Sequence, residues 1–179
     1  ASAYGIIKNH GGYIYVFSEP GKGTTFHIYL LATDRPPVLI AEEKKDEVYS
    51  GTETVLIVDD EPINISVMQE MLEMLHYRVF LAGSGQEAVA VYMEKQKEID
   101  LVILDMVMPG MGGGKTFDML KEINPNVGVI LASGYSSEGE ARKIINRGCW
   151  GFMQKPFKLH EFSSKIREVL DSHRKGALA

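Results

Sequence analysis

From Thr54 onward, short apolar bursts alternate with longer amphipathic stretches. The bursts are TVLIVD, YRVFLA, DLVILD, NVGVILA and WGFMQK. Within them VLIV, LVIL and VGVILA are unbroken apolar runs, the pattern of strands covered on both faces of a parallel sheet. Between and after them, apolar positions recur at helical spacing over 62–75, 86–97, 114–123, 137–147 and 159–173. In the first of these, Ile63, Val67, Met71, Leu72 and Leu75 can share a face. Five strands alternating with five helices predict an α/β fold, a doubly wound five-stranded parallel sheet with right-handed crossovers. Ligands of such sheets bind beyond the carboxyl ends of the strands, so the strand ends are where chemistry is sought.

The first 53 residues follow another rhythm. A short helical piece, Tyr4 to His10, stops at Gly11-Gly12. Two β-rich runs, GYIYVFSE and TTFHIYLL, flank Pro20-Gly21-Lys22-Gly23, which predicts a hairpin. Two strands and part of a helix cannot bury a core, so residues 1–31 read as the end of a domain whose beginning is missing. Their unpaired edges can recruit a second copy, giving a homodimer. Residues 32–53, with a Pro pair and the charge run EEKKDE, read as a solvated linker.

Composition narrows the classes. Of 179 residues, 45% are apolar and 24% charged, a globular balance. A net charge of −5 gives no basic footprint, so no nucleic-acid partner is expected. His10, His27, His76, His160 and His173 are scattered, without metal-ligand spacing. The lone Cys149 excludes an internal disulfide and fits a reducing compartment. No apolar run approaches the ~18 residues of a membrane span, so this chain is expected to be cytoplasmic and to make no membrane contact.

The strand ends hold the candidate chemistry. The first ends in Asp59-Asp60, the third in Asp105, the fourth in Ala132-Ser133 and the fifth at Lys155-Pro156. Singly, each Asp is an ordinary turn or cap residue. Together, three carboxylates on one sheet edge repel one another and resist ionisation. A divalent cation relieves this, and an oxygen-only donor set suits Mg²⁺.

VLIVDDEP, LVILDMVMPGMGG, ILASG and FMQKPF, found in that order over 54–172, resemble the receiver domain of two-component response regulators. The Asp-x-x-Met-Pro-Gly-Met run is especially specific. The resemblance implies a flavodoxin-like receiver over 54–174. It implies that Asp105 takes a phosphoryl group from the phosphohistidine of a kinase or phosphotransfer domain. It places Mg²⁺ on Asp60, Asp105 and the carbonyl of Val107, with Asp59 acting mostly through a bound water. Lys155 is implied to pair with Asp105 or its phosphoryl group, across a cis bond to Pro156. Ser133 is implied to bond a phosphoryl oxygen and Phe152 to be the switch aromatic. The surface over 137–153 is implied to be the readout face.

Departures from the family pattern carry expectations too. Gly112 to Gly114 should make their loop mobile. Val107 and Tyr135 should flank the path of hydrolytic water and slow dephosphorylation. Lys115 and Thr116 should open a helix and face solvent. GMGGGKT also suggests a P-loop nucleotide hydrolase, but that motif needs Gly where Pro109 stands. An aspartate-based phosphatase needs a second acid where Val107 stands.

Residues 3–31, through YGIIKNHGG and SEPGKGTTF, resemble the C-terminal end of the ATP-binding domain of sensor histidine kinases. The nucleotide-holding elements of that domain are not in this chain, so it is not expected to act as a kinase. The pairing implies a piece of a hybrid histidine kinase whose parent can be membrane-associated.

Overall fold

The computed structural model describes residues 3–32, 47–134 and 144–176. The chain divides into two units, residues 1–43 and 44–179. In the first, α1 (Ala3–Asn9) precedes the antiparallel hairpin β1 (Tyr13–Glu19) and β2 (Gly23–Tyr29). Tyr13 pairs with Tyr29 and Glu19 with Gly23. Tyr15, Phe17, Phe26 and Ile28 remain exposed, and Ile7 is the buried side chain of α1.

The second unit is the doubly wound sheet expected from the apolar rhythm. Its elements are β3 (Thr54–Val58), α2 (Pro62–Met74), β4 (Arg78–Ala82), α3 (Gly85–Lys95) and β5 (Leu101–Asp105). There follow α4 (Gly113–Ile123), β6 (Val129–Ser133), β7 (Gly151–Gln154) and α5 (Leu159–Gly176). All strand pairs are parallel, in the order β4-β3-β5-β6-β7. The chain leaves β3 outward to β4 and returns to β5 on the other side. The switch point therefore lies between the carboxyl ends of β3 and β5. The helix expected over 137–147 lies mostly outside the described residues, as does Tyr135; Ile144 and Ile145 are helical.

The period of two along each strand sorts the core into two layers. Leu56, Val58, Val102, Leu104, Val129 and Leu131 meet α3 and α4 through Tyr92, Phe117 and Leu120. Val55, Ile57, Leu101, Ile103 and Ile130 meet α2 and α5 through Met68, Leu72, Phe162 and Ile166. The stripe that α2 buries is Met68 and Leu72, flanked by the partly buried Ile65 and Met71. Ile63 and Val67, expected on that face, are 70% and 44% exposed. Both lie on the side of α2 turned away from the core; the sequence pattern supports either stripe because Met71, Leu72 and Leu75 belong to both.

The connector expected over 32–53 ends inside this unit. Tyr49 N donates to Ser163 Oγ at 3.3 Å and Gly51 N to Leu75 O at 3.0 Å. Glu53, 4% exposed, accepts from both terminal nitrogens of Arg167 and pairs with Arg174, both on α5. Among the described residues no helix is long and apolar enough to cross a membrane.

Candidate functional site

Four of the sheet's five strands, β3, β5, β6 and β7, deliver a side chain to one edge at or just past their ends. Asp59 follows β3 and is 1% exposed. Its backbone N–H still reaches the next strand, donating to Ala82 O at 3.2 Å. Asp105 closes β5 and Ser133 closes β6; both are buried. Lys155 follows β7, its N–H donating to Ser133 O at 2.8 Å, and its peptide bond to Pro156 is cis.

Lys155 brings the two inner carboxylates together. Its Nζ donates to Asp105 Oδ1 at 2.6 Å and forms a short ion pair with Asp59 Oδ2. The other Asp105 oxygen accepts from Val107 N at 2.8 Å. Burial raises the Asp105 carboxyl pKa, helped by the charge of Asp59, and outweighs the hydrogen bond from Lys155. For Lys155, burial works against the charged form, but the bonds to Asp105 and Asp59 win and its pKa is raised.

Asp59 is held by more than Lys155. Glu61 N donates to its Oδ1 at 2.9 Å, and Asn64 Nδ2 lies 3.1 Å and 3.3 Å from its two oxygens. Asn64 is a functional candidate that sequence reasoning missed. Its signal was placement, in the first turn of the helix that opens at Pro62.

Asp60 is exposed, and the Val107 side chain is 72% exposed. Phe152 packs partly buried against the α3/α4 side of the core. It also lines, with Lys155, Pro156 and Phe157, a cavity of about 480 Å³ beside the site. Among the described residues, no three acidic, His or Cys groups are gathered closely enough to hold a metal. The chemistry of the donors nevertheless fits a cation: two buried carboxylates share one ammonium, which leaves an excess negative charge among oxygen ligands.

The loop after Asp105 differs from expectation. Pro109-Gly110 forms a turn with Gly110 at φ +75°, a conformation that favours glycine. Gly113 is packed tightly: a Cβ there would lie 2.4 Å from Asp105 O. Thr116 does not face solvent. It is fully buried, and its Oγ1 donates to Gly112 O at 3.1 Å, because the helix turns this side toward α3; Lys115 is exposed as expected. A threonine bonded to its own backbone is not presented to a nucleotide phosphate, which removes the P-loop reading.

Comparison with known proteins bears on the second unit as a whole. A family model described as "Response regulator receiver domain" matches residues 55–167. The chain is 38% identical over 176 residues to the sensor kinase CckA of Brucella abortus, covering 94% of this chain and 19% of that protein. It therefore spans about a fifth of that relative's length. A response regulator receiver domain from Clostridium thermocellum superposes with TM-score 0.66 at 28% identity, over 71% of this chain and 99% of that one. The CheX-CheY-BeF3-Mg complex from Borrelia burgdorferi gives 0.63 at 27% identity, over 65% and 88% of the two chains.

Proposed function

Since the chain belongs to the response regulator receiver domain family of two-component systems, we propose that Asp105 is its phosphoacceptor. The observation that carries this reading is the Lys155 ammonium held between Asp105 and Asp59 at the switch point of the sheet. A carboxylate oxygen of Asp105 attacks the phosphorus of a phosphohistidine. The phosphorus–nitrogen bond breaks, imidazole leaves, and an acyl phosphate forms. Lys155 keeps its charge and shifts from carboxylate to phosphoryl oxygen, so no proton has to move on that side. Ser133 donates its hydroxyl to the phosphoryl group.

Mg²⁺ is the cofactor this donor set suits. Asp59, Asp60, Asp105 and the Val107 carbonyl would hold it, and it would neutralise charge on the transferring group. Asp60 is exposed and so can turn inward without breaking a buried contact. Movement of Ser133 toward the phosphoryl group gives Phe152 a second position in the adjoining cavity, a two-state element the phosphate biases.

The leading unit fits the end of a histidine kinase ATP-binding domain. The match to the Brucella sensor kinase covers 94% of the chain and so reaches well into it. Its exposed hairpin faces also call for the rest of a domain. The parent is then a hybrid sensor kinase, and the phosphodonor a histidine-bearing kinase or phosphotransfer domain.

The test is binding of beryllofluoride with Mg²⁺, followed by transfer of labelled phosphate from such a donor. Both are expected in the wild type and absent in Asp105→Asn. Label retained by that variant overturns the assignment.

A further inference from the structure

We infer that Asn64 is a positioning residue for the cation site, acting through Asp59; this rests on the receiver reading. An ionised carboxylate only accepts hydrogen bonds, so the amide of Asn64 presents its nitrogen. That nitrogen lies 3.1 Å from Oδ1 and 3.3 Å from Oδ2 of Asp59, bridging the carboxylate. Glu61 N holds Oδ1 at 2.9 Å, and Lys155 takes Oδ2. The carboxylate is thus held from three sides, at 1% exposure.

Asn64 being neutral is what matters for the reaction. A buried carboxylate needs donors on its oxygens, and the direction of those donors fixes which way it faces. An arginine or lysine at 64 would also hold it but would cancel the charge that attracts a cation. An amide does the first without the second. It also satisfies part of Asp59, so that Lys155 can bond Asp105 as well. Without Asn64, the carboxylate turns toward Lys155, the strongest remaining donor, and away from the cation position. Partners that orient ligating carboxylates in this way contribute strongly to metal affinity.

The experiment compares the full chain with Asn64→Ala, measuring Mg²⁺ affinity by calorimetry and, separately, the urea midpoint in EDTA. Alanine is the better helix former, so α2 itself should not suffer. Mg²⁺ affinity is expected to fall roughly tenfold while the EDTA midpoint holds or rises. Affinity within about twofold of the wild type overturns the inference. So does a urea midpoint that falls in step with affinity, which marks a structural role. A wild-type chain that binds neither Mg²⁺ nor beryllofluoride overturns the receiver reading beneath it, before any variant is needed.

Discussion

Gly113 lies directly against the backbone of Asp105: a Cβ at 113 would meet the Asp105 carbonyl oxygen at 2.4 Å and Met106 Cα at 2.7 Å. Helix α4 can therefore start under the strand that ends in Asp105 only if this residue has no side chain. The opposite view, that the triple glycine supplies slack, makes a different prediction. Removing slack with Gly113→Ala would stabilise the fold by about 0.4–1 kcal/mol. Close packing predicts instead a loss of about 1–3 kcal/mol and weaker beryllofluoride binding, because Asp105 must shift. Urea denaturation settles the sign.

That contrast shows what the sequence could carry. Unbroken apolar runs announce parallel strands, because both sheet faces are covered, and the strand-end residues follow from topology. Asp105 and Lys155 were legible for this reason, though they are fifty residues apart. Side-chain direction was less legible. Ile63 and Val67 fit a helical stripe as well as Met68 does, and only the packing of α2 on the sheet chooses between them. Glu53 stood in a charge-rich stretch that resembled a solvated connector. Its partners Arg167 and Arg174 lie more than a hundred residues away, so nothing local could reveal the clamp.

Lys155→Met tests the shared ammonium. Removing it leaves Asp59 and Asp105 with only neutral donors, so Mg²⁺ alone is left to offset their charge. Mg²⁺ affinity is expected to rise roughly fivefold, about 1 kcal/mol, less than the ~4 kcal/mol of a close contact at an effective dielectric of about 20. Acceptance of phosphoryl should fall, since the same ammonium neutralises the incoming group. Calorimetric Mg²⁺ titration set beside transfer of labelled phosphate checks both directions; weaker Mg²⁺ binding would count against a competing ammonium.

The Glu53 clamp predicts where the unit begins. A chain starting at residue 47 should keep the urea midpoint of the whole second unit. One starting at residue 54 loses Glu53, Gly51 and Tyr49 and their bonds to α5 and α2. Glu53→Gln alone should cost about 2 kcal/mol, the scale of charge-assisted hydrogen bonds. Burial opposes the ionised form of Glu53, but the bonds from Arg167 prevail and its pKa is lowered. This stabilisation is present above the free glutamate value of about 4.3 and is lost as pH falls through the lower folded value. Stability curves between neutral and acid pH should therefore converge for wild type and Glu53→Gln.

At the base of α5, the ring of His173 stacks on Trp150 with centroids 3.6 Å apart and planes 8° from parallel. The indole also lies against Gly128, where a Cβ would meet the ring at 2.4 Å. Partial burial, and then the charge of Lys121, lower the His173 pKa. The unfolded chain therefore binds the proton first as pH falls below a free histidine's ~6.5, and the folded chain only at lower pH. Asp100, Cys149 and Arg174 line a cavity together with Trp150 and His173; Arg174 is paired with Glu53, and Asp100 accepts from Thr54 N. Because Trp150 is the single tryptophan, its emission reads this one equilibrium. Emission should drop as imidazolium forms, with a midpoint below about 6.5, and His173→Gln should flatten the titration. A midpoint above the free histidine value would mean that stacking favours the charged ring more than burial and Lys121 oppose it.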